Sequence, residues 1–318
     1  MTDQPQEIRP IKDLRFVVVG AYVMDCFITT SHLPEWGKTF EARSIRTTPG
    51  GKALNQAVAL ARLGAQVTAV GVVGDDAVGH DVLVTLKREG VDVSGMEIRA
   101  GVATTVCACF VGDAGESAIV WHIDENIAVT SGSVRAAKAA FEGADAALMT
   151  FEMPVTTVRE AIEVAHIHKA RVFVQPAPQL ADPTDANLIP WDQIDILVPN
   201  EEEARALLDD DGDALASELA HLLSSEFAVP GVVVTLGKEG CVAYLAGTTV
   251  AYPAEQVEAL DATGAGDAFS AALVANLVAG EPGIEAIRAA QVNAMRAIRC
   301  RGGHESMPSQ GWKSRGEA

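Results

Sequence analysis

A chain of 318 residues, 48% hydrophobic but only 5% aromatic, suits one large core with an appendage, in which Gly and Ala let helices pack closely on a buried sheet. The formal net charge of -19 repels phosphate backbones and anionic headgroups, which argues against nucleic-acid and membrane partners. A polar N-terminus without an apolar segment points to a cytoplasmic protein, and five cysteines without a CxxC pair suggest neither a disulfide framework nor a zinc site.

Arg15 to Gly20 is a β-branched run ending in glycine, the pattern of a central strand buried on both faces. Asp25 to Pro49 lacks helical periodicity and reads as a loop carrying short strands that stand apart from the core. A helix follows from Lys52 to its stop at Gly64, then a strand over Gln66 to Gly71 and a helix over Ala77 to Glu89. Thr104 to Val111 and Ala118 to His122 alternate about a turn at Gly112 to Gly115, as in a hairpin whose Cys107 and Cys109 share one face. Strands are then expected at Ala146 to Thr150, Arg171 to Val174, Ile194 to Val198 and Val232 to Leu236, with helices between. This rhythm predicts an α/β fold, a doubly wound and mainly parallel sheet with helices on both faces, whose ligands sit beyond the carboxyl ends of the strands. His166 and His168 lie two apart on a helix, which is not metal-ligand spacing, and Gly311 to Ala318 reads as a disordered tail.

Asp261-Ala262-Thr263-Gly264-Ala265-Gly266-Asp267 opens directly into the apolar helical run Ala268 to Ala279. Backbone N–H groups of such a loop converge at a helix N-terminus and form an anion hole for a phosphoryl group in transfer. Asp267 beside it is either a dipole-complementing first-turn acid or a base that takes the proton of an attacking alcohol. Pro49-Gly50-Gly51-Lys52 leads into the helix containing Asn55, either as a turn and cap or as a close backbone approach to a ligand. Asn200 and Glu203 share one side of a helical first turn, either as a solvated acidic helix start or as a holder of magnesium through water. Thr235-Leu236-Gly237 ends a strand where nucleotide phosphate or ribose can meet it.

Four segments, Gly50-Gly51-Lys52-Ala53-Leu54-Asn55, Pro199 to Glu203, Thr235 to Gly240 and Asp261 to Asp267, resemble in content and order those of the ribokinase family of carbohydrate kinases, also called the phosphofructokinase B family. The resemblance implies ATP-dependent phosphorylation of a hydroxyl on a small sugar, with Asp267 as base and Gly264, Ala265 and Gly266 as the anion hole. It implies sugar contacts from Asp25, Gly51, Lys52, Asn55 and Glu152, and nucleotide contacts from Asn200, Thr235, Gly237, Gly240 and Asn293. Glu203 would serve Mg2+ through water, and Asp261, with the loop near Val257, would serve K+. It further implies a β-sheet lid at residues 26–49 and 102–123, on a core of residues 1–25, 50–101 and 124–318, which closes over the sugar and pairs in a homodimer.

The family motif usually reads Gly-Gly-Lys-Gly-Ala-Asn, so Ala53 and Leu54 either crowd the substrate or repack the helix on the core. A nucleoside acceptor stacked on Trp121 or Phe110 is the alternative within the family, and a non-catalytic sugar and nucleotide sensor the alternative outside it. Trp36-Gly37-Lys38-Thr39 imitates the end of a P-loop but has His32 at the earlier glycine position, and no GxGxxG follows the first strand.

Overall fold

The computed structural model describes residues 8–112 and 117–309. The expected hairpin turn and the polar tail lie largely or wholly outside these residues. The strands are β1 (Arg15–Val19), β2 (Val23–Thr29), β3 (Ser44–Gly50), β4 (Gln66–Gly74), β5 (Asp92–Arg99), β6 (Val106–Val111), β7 (Ser117–Val120), β8 (Ala146–Thr150), β9 (Arg171–Gln175), β10 (Ile196–Leu197), β11 (Gly231–Thr235), β12 (Cys241–Leu245) and β13 (Thr248–Tyr252). The helices are α1 (Lys52–Arg62), α2 (Ala77–Arg88), α3 (Ser131–Ala136), α4 (Val155–Ile167), α5 (Glu201–Leu208), α6 (Ala216–Phe227), α7 (Ala265–Ala279) and α8 (Gly283–Ala297).

Strands pleat with period two, so the unbroken apolar run of β1 feeds two cores at once. Phe16 and Val18 join the core under α1, α2, α7 and α8, while Val17 and Val19 join the core under α3, α4 and α6. The large sheet runs β13-β12-β11-β10-β9-β8-β1-β4-β5, parallel from β11 to β5 and antiparallel through β12 and β13. The chain builds outward from β1 through β4 and β5, then returns to build through β8, which makes the crevice beside β1 the topological switch point where α/β sheets bind ligands.

Three elements depart from the sequence expectation. The edge strand β5 was not anticipated, because Asp92, Glu97 and Gly95 break its apolar pattern and it has only one sheet neighbour to pair with. The antiparallel β12–β13 hairpin turns at Ala246 and Gly247, both at positive φ, the backbone a two-residue turn needs. The expected strand at Ile194 to Val198 shrinks to two paired residues, since a short 3-10 helix ends at Ile194 and Pro199 cannot donate.

A second sheet, β3-β2-β6-β7, covers the switch point. Its register puts Asp25, Phe27, Cys107, Cys109 and Ile119 on one face and Cys26, Ile28, Ile45, Val106, Phe110 and Val120 on the other. Helix α7 is apolar nearly all round, as expected for a helix enclosed by its neighbours; it packs between α1 and α8, which delivers its N-terminus to the same crevice.

Candidate active site

A cavity of about 590 Å³ opens between the small sheet and the carboxyl ends of the central strands. Four strand ends of the large sheet contribute, Glu152 beyond β8, Gln175 at the end of β9, Asn200 beyond β10 and Thr235 closing β11, and Asp25 enters from β2 of the small sheet. Helix α1 adds Lys52 and Asn55, and α7 adds Gly266 and Asp267. Gly51 turns the chain into α1 at φ +93°, and a Cβ there would stand 2.6 Å from the Ala21 carbonyl oxygen, so the backbone passes where only glycine fits.

Asp267 is 4% exposed, and its Oδ2 accepts from Asn55 Nδ2 at 2.8 Å. Its Oδ1 is buried without a hydrogen-bond partner among the described residues, as is Asn55 Oδ1. Burial pushes the Asp267 carboxyl above the ordinary range, against the opposing pull of Lys52 and the Asn55 and Gln56 amides. Asp25 is raised to about 6, again chiefly by burial, with the Gly51 N–H holding it down in part. Glu152 is raised to about 7 by burial and by the charge of Asp267, while Lys52 opposes the shift. Its Oε1 accepts from the Lys52 N–H at 3.3 Å and its Oε2 from the Thr150 hydroxyl at 3.2 Å. Burial works against the Lys52 ammonium, but Asp267, Glu152, Glu203 and Asp25 outweigh it and hold its pKa above the usual value. Four carboxylates thus share one cation, an arrangement hospitable to hydroxyl donors and hostile to anions.

Gly264 caps α7 in the left-handed conformation at φ +79°. Of the three expected anion-hole residues, Ala265 gives its N–H to the Ala262 carbonyl at 3.2 Å. Gly266 and Asp267 occupy the next first-turn positions, whose N–H groups a helix leaves unsatisfied. Asp261 is 3% exposed and spends both oxygens on the backbone, Oδ1 on Thr263 N–H at 2.9 Å and Oδ2 on Gly302 N–H at 3.0 Å. Asn200 and Glu203 form a reciprocal capping box on α5: Asn200 Oδ1 accepts the Glu203 N–H at 2.7 Å, and Glu203 Oε2 accepts the Asn200 N–H at 2.9 Å. Burial raises the Glu203 carboxyl, and both residues still line the cavity.

A second cavity of about 650 Å³ adjoins the first and shares Thr235, Gly237, Ala262 and Gly266 with it. Gly240 lines it at φ +103°, and Val257, Phe269, Val292 and Met295 form apolar walls. Asn293 does not reach it: the amide turns back onto its own helix and donates to the Ala289 carbonyl at 2.8 Å, leaving Val292 and Met295 to face the cavity.

Ala53 and Leu54 are fully buried and lie off the cavity, so their bulk packs α1 on the core rather than crowding a ligand. Phe110 faces away on the outer side of the small sheet, whereas Trp121 lines the cavity. Gln175, Ser270, Cys107 and Cys109 line it without having been assigned to a site from sequence. Gln175 ends β9, at the carboxyl edge where α/β sheets present ligand contacts. Its Oε1 accepts from Gln56 Nε2 at 2.6 Å and from the Ser270 hydroxyl at 3.3 Å, tying α1, β9 and α7 together behind Asp267.

The pfkB family carbohydrate kinase model matches residues 13–310, and the chain belongs to that family of ATP-dependent carbohydrate kinases. It is 36% identical over 298 residues to ribokinase from Bacillus subtilis, covering 92% of this chain and 96% of the relative. Ribokinase from Schizosaccharomyces pombe is 32% identical over 312 residues, covering 93% and 95% respectively. The solved ribokinase of Giardia lamblia superposes with a TM-score of 0.83 at 23% identity, over 93% of this chain and 96% of that one, a likeness of fold. Among the described residues no helix is long and apolar enough to cross a membrane.

Proposed function

From membership of the pfkB family we propose that the protein transfers the γ-phosphoryl group of ATP to a hydroxyl of a small neutral sugar, ribose being the first candidate because its relatives are named ribokinase. The observation that carries this reading is the pairing of Asp267 with the α7 N-terminus: a buried carboxylate, one oxygen of which has no partner among the described residues, stands in the same first turn as backbone donors suited to a phosphoryl group. The sugar lies in the smaller cavity, with Asp25, Gly51, Lys52, Asn55 and Glu152 taking its hydroxyls. The nucleotide lies in the adjoining cavity against Gly237, Gly240 and the apolar wall.

Asp267 Oδ1 accepts the proton as the sugar oxygen attacks the γ-phosphorus. The new O–P bond forms, the bond to the β-phosphate oxygen breaks and ADP departs. The N–H groups at the start of α7 stabilise the charge on the transferring group. Lys52 keeps the surrounding carboxylates from repelling it.

The donor sets fit the expected cations differently. Glu203 lines the cavity with one oxygen committed to its capping box, which suits the holding of Mg2+ through water; the ion supplies neutralisation of the phosphates when bound. Asp261 has both oxygens on backbone N–H groups, so its part toward K+ is to shape the loop whose carbonyls would bind the ion. We take the small sheet as the lid over the sugar. Its outer face, with Ile45, Val106 and Val120 each more than half exposed, supports pairing with a second copy. Trp121 on the cavity wall favours a nucleoside as the second acceptor to be tried.

The test is ADP release by the purified protein with Mg2+ and K+, screened over ribose, deoxyribose, other pentoses, fructose and nucleosides. Strong turnover of one acceptor, lost in Asp267→Asn, supports the reading; binding of sugar and ATP without turnover sinks it in favour of a sensor.

A further inference from the structure

The short turn Gly302–Met307 is buried apart from Glu305 and belongs to neither cavity wall. It touches both halves of the site. On the sugar side, the His304 ring is 4% exposed, and its Nδ1 lies 2.7 Å from the carbonyl oxygen of Pro49, the residue just before Gly50 and Gly51. A carbonyl only accepts, so Nδ1 carries the proton and donates. Glu305 pairs with Arg46 of β3 at 2.7 Å, and Gly303 lies against the Asn55 amide. On the phosphate side, the Gly302 N–H donates to Asp261 Oδ2, and Met307 Cε stands 2.6 Å from where a Cβ on Gly264 would be. Arg62 holds the turn's shape from α1: its guanidinium donates to the carbonyls of His304 at 3.0 Å and Met307 at 2.6 Å, anchored in turn by Glu89.

We propose that this turn mechanically couples the Pro49–Gly51 segment, where β3 passes into α1, to the Asp261–Gly264 loop, with His304 as the positioning residue that makes the tie. Two sites that both bias one packed element are linked in free energy, and the linkage is reciprocal. A nucleotide that orders the phosphate loop thereby orders the segment that presents Gly51 and Lys52, and a sugar on that segment orders the loop. Among the interactions of the turn, the His304–Pro49 bond is the buried direct link to the backbone at the end of β3; Arg46–Glu305 is a more exposed second tie. The coupling rests on the kinase reading for its use in catalysis, but nucleotide binding alone tests its existence.

Hydrogen–deuterium exchange of the full chain, with and without Mg·ADP, reads the amides of residues 44–55, none of which lines the nucleotide cavity. Mg·ADP is expected to slow their exchange in the wild type and in His304→Asn, whose amide can donate to the Pro49 carbonyl, but not in His304→Ala. In the same variants, kcat is expected to fall about tenfold in His304→Ala with the sugar KM little changed, and to recover in His304→Asn, the scale of one lost buried hydrogen bond. Arg46→Met cuts the outer tie at the surface and should weaken the protection without unfolding the protein, which keeps the test alive if His304→Ala does not fold. Equal protection in wild type and His304→Ala, or none in wild type despite bound Mg·ADP, overturns the proposal. Protection that follows His304 in a protein that phosphorylates no sugar leaves the coupling standing and refutes the kinase reading instead.

Discussion

Replacing Asp267 by Asn tests the centre of the mechanism with little change of shape. The Asn oxygen can still accept from the Asn55 amide that now lies 2.8 Å from Oδ2, so the side chain keeps its place and the sugar keeps its bed. What is lost is the proton acceptor. A positioned general base contributes about 10²- to 10⁴-fold, equivalent to ~3–5 kcal/mol of barrier. Asp267 belongs toward the upper part of that range, because burial makes it more basic than a surface aspartate and its free Oδ1 needs no partner displaced. The assay is steady-state ADP release with saturating sugar and Mg·ATP. The expected result is a kcat lower by at least about a hundredfold with the sugar KM changed by no more than a few-fold. A variant that keeps a tenth or more of the wild-type kcat refutes Asp267 as the base. The pH profile adds a signed check. The base works ionised, and burial raises its pKa, so activity should fall on the acid side at a pH above the range of a surface aspartate. Asp25 at about 6 and Glu152 at about 7 titrate in the same limb, which therefore belongs to the cluster rather than to one residue.

Asp25→Asn should stabilise the ligand-free protein while weakening sugar binding. The folded pKa of about 6 lies above the ordinary 3.8, so the stability due to the protonated form is complete below about pH 3.8 and is lost as pH rises through 6. At pH 8 the neutral amide should recover on the order of 1–3 kcal/mol, read as a higher denaturation midpoint; an unchanged midpoint contradicts the burial argument. Lys52→Met removes the one cation among four carboxylates, each of which it holds down, so the acid limb of kcat/KM should move to higher pH; a limb that stays put shows that Lys52 does not set those charges. Gly51→Ala meets both a positive φ and the Ala21 carbonyl, and should cost about 1–3 kcal/mol of stability along with sugar affinity; full retention of both means the backbone has room to move.

The positions most legible in the sequence are those where one physical requirement selects the residue. Gly51 and Gly264 are visible because a left-handed turn before a helix calls for glycine, and the structure holds both at positive φ. Asn200 and Glu203 are visible as one side of a helical first turn, but the solvated acidic start is not what forms: Glu203 is buried in a reciprocal capping box with Asn200, and both side chains line the cavity. The central strands show as continuous apolar runs because both of their faces are covered. The edge strand β5 lacks that signal, and the β12–β13 hairpin hides behind an Ala-Gly turn that no Asn or Asp announces. Less legible are residues defined by what lies across from them. Gln175 and Ser270 acquire a role only when β9 and α7 meet, 95 positions apart in the chain. His304 sits in a polar stretch without periodicity, and its bond to Pro49 spans 255 positions. Asn293 shows the converse: motif order puts it on α8, which borders the second cavity, but its amide folds back onto the Ala289 carbonyl of its own helix, and Val292 and Met295 line the cavity instead. A sequence motif therefore locates the backbone that carries a site, while the rotation of a helix and the partner across the fold decide which side chains enter it.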